Sequence, residues 1–185
     1  MGKYFGTDGF RGEANKELTA DHAYRVGRFL GWYYGECKRR NGDHTRPRIV
    51  IGKDTRQSGD MLEAALTAGL CSVGADVESL GVLPTPAVAY LVKKYNADAG
   101  VVISASHNPM EFNGIKIFAG TGYKLPDDVE NEIEKHIDND CADIPLATGA
   151  SVGRVSVRAD GLQDYVDHLY ESCLLYTSPS PRDCS

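Results

Sequence analysis

The segment 104–109 (SASHNP) contains the residues best suited to chemistry in this chain. A serine hydroxyl can act as a nucleophile or carry a phosphoryl group if a neighbour orients it and accepts its proton. His107 follows Ser106 directly, and an ordinary imidazole pKa of about 6.5 suits proton transfer. Asn108-Pro109 favours a turn that would hold Ser106 outward. The same residues could simply satisfy backbone groups in a turn, so local chemistry leaves both interpretations open.

Lys116 ends the segment 113–116 (NGIK), a strand-like run just after the serine segment. A hairpin-like return of the chain could bring this lysine near Ser106. There it could neutralise a phosphate or act as an acid or base. The alternative is an ordinary exposed lysine on a strand.

The segment 5–12 (FGTDGFRG) combines glycines with an arginine. Glycines let backbone N–H groups approach an anion closely, and Arg11 offers a planar fork for phosphate. We therefore expect a loop that could bind an anion, or else a plain glycine-rich loop. The segment lacks the endings and spacing of a nucleotide-binding P-loop or dinucleotide fingerprint.

The segment 52–59 (GKDTRQSG) follows one predicted strand and precedes a predicted helix. Lys53 and Arg56 could line the same edge of the sheet as the serine segment. The free N–H groups near Ser58 could bind an anion. An ordinary capped connection between strand and helix explains the same residues.

Strands and helices alternate along the chain, and their patterns predict the scaffold beneath these segments. Continuous apolar runs predict strands buried on both faces at 48–52, 77–82, 99–104 and 113–118, with an edge strand at 4–6. Helical spacing and capping residues predict helices from near Thr19 to Asn41, from Ser58 to about 73, from the Thr85-Pro86 cap, and over 129–137. We expect a three-layer α/β/α domain with a mostly parallel mixed sheet.

The composition of the later residues predicts a domain boundary. We place the first domain at 1–140, a linker at 141–151, and the truncated start of a second, similar domain at 152–172. The segment 173–185 (CLLYTSPSPRDCS) has no helical period, and its Ser/Pro steps break regular elements. It resembles a translated adapter sequence from transposon-based libraries and is excluded from the fold. The alternative is a genuine disordered tail.

Composition narrows the class of protein. Hydrophobic residues make up 42% and charged residues 25%, as in soluble globular proteins, and the net charge of −6 argues against nucleic acid as a partner. No apolar run approaches the ~20 residues of a membrane span, and no apolar signal begins the chain, so we expect a cytoplasmic protein without a membrane partner. Five cysteines without a CxxC pair predict neither a zinc cluster nor a disulfide framework.

Together, SASHNP, GKDTR and NGIK resemble the α-D-phosphohexomutase family in order and spacing. FGTDGFRG followed by ANKELT is similar to the branch that isomerises glucosamine phosphates. The resemblance covers roughly Lys3 to Ser172. It departs from the branch at Phe10, where isoleucine is usual, and in the tolerant stretch 110–112.

The resemblance implies a two-step phosphoryl transfer. Phosphorylated Ser106 would convert glucosamine 6-phosphate to the 1,6-bisphosphate and then take back the 6-phosphate, leaving glucosamine 1-phosphate for cell-wall precursors. Mg²⁺ would bridge a phosphoserine oxygen of Ser106 and aspartates of a later domain, because this chain has no DGDGDR-like segment. Glucose or glucosamine 1,6-bisphosphate, or another phosphoryl donor, would activate the serine.

The same resemblance assigns roles to residues. Arg11 and Lys116 would offset phosphate charge, and His107 or Lys116 would handle the proton of the sugar hydroxyl. We expect the remaining contacts to the small-molecule sugar phosphate from Thr7, Asp8, Lys53, Arg56 and Asn108.

Two alternatives stay open. The chain could belong to a phosphomannomutase or phosphoglucomutase, or it could be a non-catalytic module that binds sugar phosphates. The sugar-recognition segments of the family are missing, so this chain alone is expected to be inactive. The sequence does not predict an oligomeric state.

Overall fold

A computed structural model describes residues 2–174 of the chain. Its sheet has seven strands in the order β1-β2-β6-β5-β3-β4-β7. The strands are β1 (Phe5–Gly6), β2 (Gly9–Glu13), β3 (Arg48–Lys53), β4 (Asp76–Val82), β5 (Ala99–Ile103), β6 (Phe112–Ala119) and β7 (Val155–Val157). The helices are α1 (Ala20–Arg40), α2 (Ser58–Ser72), α3 (Thr85–Lys94), α4 (Asp127–Asp138) and α5 (Gly161–Leu174), with a short 3₁₀ turn at Gly149–Ser151.

The predicted α/β/α class with a mixed sheet is confirmed. The pairings β5–β3, β3–β4 and β4–β7 are parallel, whereas the pairings β1–β2, β2–β6 and β6–β5 are antiparallel. The parallel share is smaller than expected because β2, which the sequence did not predict, inserts beside β6. No helix among residues 2–174 is long and apolar enough to cross a bilayer.

The side chains of the central strand β3 pack into two hydrophobic cores, one on each face of the sheet. Ile49 and Ile51 of β3 lie in the larger core with α1, α2 and α4, while Val50 between them lies in the smaller core with α3. All three are fully buried. Successive strand residues point to opposite faces, so a continuous apolar run fits a strand covered on both sides, as the sequence predicted.

Helix α1 begins and ends where the sequence predicted. Thr19 is its N-cap, with the Thr19 hydroxyl accepting from the His22 N–H and the His22 ring accepting from the Thr19 N–H. Asn41 closes the helix, and Gly42 follows with a φ of +76°. This reciprocal arrangement satisfies N–H groups that the first helical turn leaves free.

Two helix starts differ from the predicted caps. Helix α2 has Gln57 at its N-cap without a side-chain cap, and the Ser58 hydroxyl instead accepts from Asn113 Nδ2 at 2.9 Å. Helix α3 begins at Thr85 with Pro84 as its N-cap, one residue earlier than predicted.

Helices α1 and α2 cross at two glycines. A Cβ on Gly69 would overlap the backbone oxygen of Tyr24, and a Cβ on Gly27 would overlap that of Leu66. The helices therefore approach each other more closely than any larger residue would allow. This packing holds the second half of α2 against α1.

The segment 5–12 forms a hairpin. The edge strand predicted at 4–6 is confirmed as β1, whereas β2 replaces the loop expected over the second half of the segment. Strands β1 and β2 pair antiparallel, and β2 continues into the sheet against β6, with Phe10 opposite Ile115. The carboxylate of Glu134 on α4 accepts the backbone N–H groups of Lys3, Tyr4 and Phe5 at 2.7–2.8 Å. The partners of this segment, β6 and Glu134, lie far from it in the sequence, so its local glycine content did not predict these contacts.

The residues after 151 pack on the first domain. Strand β7 pairs parallel with β4, and on α5 His168 stacks on Tyr90 of α3 at a ring distance of 3.9 Å. The predicted boundary at 141–151 stays a prediction, but these residues extend the same sheet in this structure. Helix α5 reaches Leu174, so its backbone continues past 172, and the rest of the predicted tail lies outside the described residues.

Candidate active site

Ser106 lies in the loop between β5 and β6; we call this loop, together with the first residue of β6, the serine loop (residues 104–112). Its φ is +58°, a left-handed conformation that non-glycine residues seldom adopt. The Ser106 N–H donates to Ser104 Oγ at 3.1 Å, and the Asn108 N–H donates to the Ala105 carbonyl at 3.1 Å. Ala105 is fully buried while Ser106 is exposed. The loop thus anchors on Ala105 and presents the Ser106 hydroxyl to solvent.

His107 is the nearest titratable neighbour of that hydroxyl. Its Nδ1 lies 3.3 Å from Ser106 Oγ, within reach of a hydrogen bond. When Nδ1 carries no proton it can accept the proton of the serine hydroxyl. The structure therefore brings together the two residues that the sequence proposed as carrier and proton acceptor.

Arg56 reaches across to the serine loop. Its Nη2 donates to the carbonyls of Ser106 at 3.0 Å and Asn108 at 2.8 Å. Its Nη1 donates to the carbonyls of Pro109 at 2.7 Å and Phe112 at 3.1 Å.

The remaining donor of Arg56, Nε, bonds Asp54 Oδ2 at 2.9 Å. A guanidinium has five N–H donors, so every donor of Arg56 already has a partner. Phosphate binding by Arg56 stays a prediction; in this structure its Nη atoms bond the backbone of the loop.

Lys53 is likewise paired. Its Nζ lies 2.5 Å from Asp60 and 2.6 Å from Glu63. Burial would lower the pKa of Lys53, but the two carboxylates outweigh burial and raise it. The predicted phosphate contact from Lys53 would have to displace both carboxylates, so the lysine ties β3 to α2.

A cleft of about 470 Å³ opens between the serine loop and the start of α2. Its lining residues are Asp54, Thr55, Arg56, Gln57, Ser106, Asn108 and Met110. The cleft lies beyond the carboxyl ends of β3 and β5, where ligands bind in open α/β sheets. The structure thus brings Asn108 and Ser106 to one cavity.

Arg11, Asp8 and Lys116 form a second group, which we call the cation cluster. Asp8 lies 3.5 Å from Arg11 Nη1 and 3.5 Å from Lys116 Nζ. Arg11 stands opposite Gly114 in the β2–β6 ladder, so Arg11 and Lys116 project from the same face. Thr7 and Asp8 form the turn of the hairpin and line a groove of about 400 Å³ with Arg11.

Gly114 makes room for the cation cluster. A Cβ at this position would lie 3.0 Å from Arg11 Cγ and 2.7 Å from the Ser104 carbonyl oxygen. No hydrogen bond or ion pair among residues 2–174 joins the cation cluster to Ser106 or His107. The site residues predicted from sequence therefore form two groups, one around the serine loop and the end of β3 and one on β2, β6 and the β1–β2 turn.

Sequence reasoning missed Asn113. It is fully buried, its Oδ1 accepts the Gly114 N–H at 2.8 Å, and its Nδ2 donates to Ser58 Oγ. Asn113 therefore joins the end of the serine loop to the start of α2. An amide inside a predicted buried strand was the available signal, because buried polar groups require partners.

A metal site is not complete in the described part of the chain. No group of three or more His, Cys, Asp or Glu side chains within residues 2–174 could hold a metal ion. Asp54 lines the cleft, but both its oxygens accept hydrogen bonds from Arg56. Ser106 could contribute one oxygen, which does not satisfy the six ligands that Mg²⁺ prefers.

Comparison with known proteins gives consistent relatives. The family model described as "Phosphoglucomutase/phosphomannomutase, alpha/beta/alpha domain I" matches residues 2–142. A phosphoglucosamine mutase of Clostridium acetobutylicum is 58% identical over 166 residues, covering 90% of this chain and 36% of that protein. One from Lachnoclostridium phytofermentans is 54% identical over 169 residues, covering 91% and 36%. The chain thus spans about a third of the length of these curated relatives.

A solved structure shares the fold. The crystal structure of a phosphoglucomutase/phosphomannomutase family protein from Burkholderia thailandensis matches with a TM-score of 0.69 at 27% sequence identity. The match covers 89% of this chain and 34% of that chain. The similarity therefore extends beyond residue 142, into the segment that contains β7 and α5.

Proposed function

The chain belongs to the phosphoglucomutase/phosphomannomutase family, and from that premise we propose that it supplies the phosphoserine domain of a phosphoglucosamine mutase. Identities of 54–58% to proteins of that name support this choice over the phosphomannomutase or phosphoglucomutase alternative. The observation that carries the proposal is the exposed hydroxyl of Ser106, 3.3 Å from His107 at the mouth of a cleft. Ser106 is the phosphoryl carrier.

Each transfer exchanges one O–P bond for another. First, a hydroxyl oxygen of glucosamine 6-phosphate bonds the phosphorus of phosphorylated Ser106 as the Oγ–P bond breaks, giving the 1,6-bisphosphate. The hydroxyl proton passes to a base, and Ser106 Oγ gains a proton. In the second step Ser106 Oγ bonds the phosphorus of the 6-phosphate as the bond between that phosphorus and the sugar O6 breaks. His107 Nδ1 accepts the serine proton, O6 takes the proton held by the base of the first step, and glucosamine 1-phosphate leaves.

Positioning and charge neutralisation dominate phosphoryl transfer, which gives the cation cluster its role. Arg11 and Lys116 together carry more positive charge than Asp8 cancels, so the cluster can offset phosphate charge near β6. Mg²⁺ would add charge neutralisation, but its carboxylate ligands must come from outside residues 2–174. The chain alone is therefore expected to be inactive.

The test places this chain in a complete enzyme. Residues 2–172 replace the matching segment of the Clostridium acetobutylicum relative, and turnover of glucosamine 1- and 6-phosphates is measured with Mg²⁺ and a trace of bisphosphate. We expect activity, phosphate on Ser106 by peptide mapping, and loss of most activity in Ser106→Ala. Ser72→Ala, in α2 away from the cleft, serves as the control. Phosphate on Ser104 alone, or near-normal turnover of Ser106→Ala, contradicts the proposal.

A further inference from the structure

Arg56 joins two elements that the chain separates widely. It follows β3, yet its guanidinium lies against the loop between β5 and β6. Its side chain is only 10% exposed. We propose that Arg56 is a positioning residue that holds the serine loop in the shape that presents Ser106 for phosphoryl transfer; this inference rests on the function proposed for Ser106.

The carbonyl groups around Arg56 converge on one point. The carbonyls of Ser106, Asn108, Pro109 and Phe112 all accept from its Nη atoms at 2.7–3.1 Å. Convergent carbonyl dipoles repel one another unless a cation lies between them. A planar fork with fixed donor directions matches this arrangement, and a lysine ammonium, with three donors at one point, does not.

Arg56 is itself held in place. Both its backbone N–H and its Nε donate to the carboxylate of Asp54 at 2.9 Å. The Asp54 N–H in turn donates to the carbonyl of Ile103, the last residue of β5, at 3.0 Å. The guanidinium is therefore anchored to the ends of the two strands from which the site projects. This continuous set of bonds transmits the rigidity of the sheet to the loop.

The loop needs such a partner because Ser106 has an unfavourable backbone. A serine at a φ of +58° persists only where the surroundings impose that conformation. The carbonyl of Ser106 itself accepts from Arg56, so the guanidinium acts directly on the strained residue. Loss of the fork would let Ser106 relax and move its hydroxyl away from the substrate.

This assignment separates Arg56 from a phosphate ligand. A ligand would lower the pKa of a phosphoserine at position 106 by direct contact, whereas a positioning residue acts on the shape of the loop. Arg56→Lys keeps a cation but loses the fork. Arg48→Lys is the matched control, since Arg48 lies on β3 and bonds Glu78 and the Tyr95 carbonyl instead.

Two measurements test the proposal. The 185-residue chain with phosphoserine encoded at position 106 is studied by ³¹P titration and by the ¹³Cα shift of that residue. The complete hybrid enzyme gives kcat and KM. We expect Arg56→Lys to shift the Ser106 ¹³Cα signal away from its left-handed value, leave the phosphate titration unchanged, and lower kcat about 100-fold with little change in KM. Arg48→Lys should change none of these.

Three outcomes overturn the proposal. An unchanged ¹³Cα signal, an unchanged kcat, or a phosphate group that titrates at higher pH in Arg56→Lys would each do so. An inactive wild-type hybrid would contradict the proposed function, while the carbon signal still decides the role of Arg56. If Arg56→Lys fails to fold, Asp54→Asn keeps the guanidinium but weakens its anchor, and a smaller shift of the same signals is expected.

Discussion

The carboxylate of Asp8 lies 3.5 Å from the ammonium group of Lys116. The lysine best suited to a phosphate is therefore already paired with an anion of the same chain, and Arg11 shares that anion. Asp8 was expected to contact the sugar phosphate. An ionised carboxylate repels phosphate, so its position favours a role in holding the two cations ready.

Asp8→Asn should strengthen the binding of inorganic phosphate. Removing one exposed charge next to Lys116 is worth up to about 1 kcal/mol, or about fivefold in affinity at low salt. An NMR titration that follows the backbone amides of β6 measures the change. The gain should shrink as salt is added. It should also be smaller in the background of Lys116→Gln, because only Arg11 then remains paired with Asp8. Unchanged affinity in Asp8→Asn would contradict this role.

The left-handed backbone of Ser106 predicts that glycine is tolerated better than alanine at this position, the reverse of the order in a helix. Ser106→Gly should be more stable than Ser106→Ala by about 0.5–1 kcal/mol, because alanine keeps the steric cost of about 1–2 kcal/mol while glycine loses more chain entropy. Denaturant unfolding of the 185-residue chain measures both. At Ser72, in α2, the order should reverse. Equal stability of the Ser106 pair would show that the loop is relaxed.

Glu134 should make stability depend on pH in the acid range. Burial would raise the pKa of Glu134, but the backbone N–H groups of Phe5, Tyr4 and Lys3 outweigh it and lower the pKa below its ordinary 4.5. The folded state thus favours the charged carboxylate. Its stabilisation is complete above about pH 4.5 and is lost as the pH falls through the lower folded-state pKa.

Glu134→Gln should therefore cost about 1.5–3 kcal/mol at pH 7, and the difference from the wild type should narrow in acid. Urea unfolding between pH 7 and pH 3 measures it. Glu132→Gln, on the same helix and paired only with exposed Lys135, is the control and should cost little. If the difference in unfolding free energy between Glu134→Gln and the wild type stayed constant from pH 7 to pH 3, titration of Glu134 would not explain the pH dependence of stability.

The crossing of α1 and α2 predicts opposite effects at two helical glycines. Gly69→Ala should destabilise by about 1–3 kcal/mol, because the new methyl group overlaps the Tyr24 carbonyl. Gly35→Ala should stabilise by up to about 1 kcal/mol, since its Cβ would meet neighbours only at 3.6 Å. Thermal unfolding compares the two. A neutral Gly69→Ala would mean that the helices can separate without cost.

Local pattern was enough for the central scaffold. The run Ile49–Ile51 is apolar throughout because alternate residues meet different helices, and that double burial is visible in a short window. Strand β2 could not be predicted from the sequence, because its glycines lower strand propensity. Its partner β6 is adjacent in the sheet but lies about a hundred residues later in the sequence. Pairing between distant segments decided that element.

The candidate site shows the same limit. The pairing of Ser106 with His107 followed from their adjacency in the sequence. The contacts of Arg56 and Lys53 did not follow from the sequence. A cationic side chain can bind a phosphate, a carboxylate or a set of carbonyls, and the sequence alone does not distinguish these partners. Only the fold shows that Lys53 donates hydrogen bonds to Asp60 and Glu63 and that Arg56 donates hydrogen bonds to the serine loop.

The order of the strands in the sheet also determines when each strand can pair during translation. The β1–β2 hairpin leaves the ribosome well before β6, so Phe10 must await Ile115, its partner in β6. At about 5–20 residues per second, the hairpin waits several seconds with its edge unpaired. The cation cluster therefore assembles late, when β6 closes over β2. A chaperone that shields nascent chains would find its exposed segment in this hairpin.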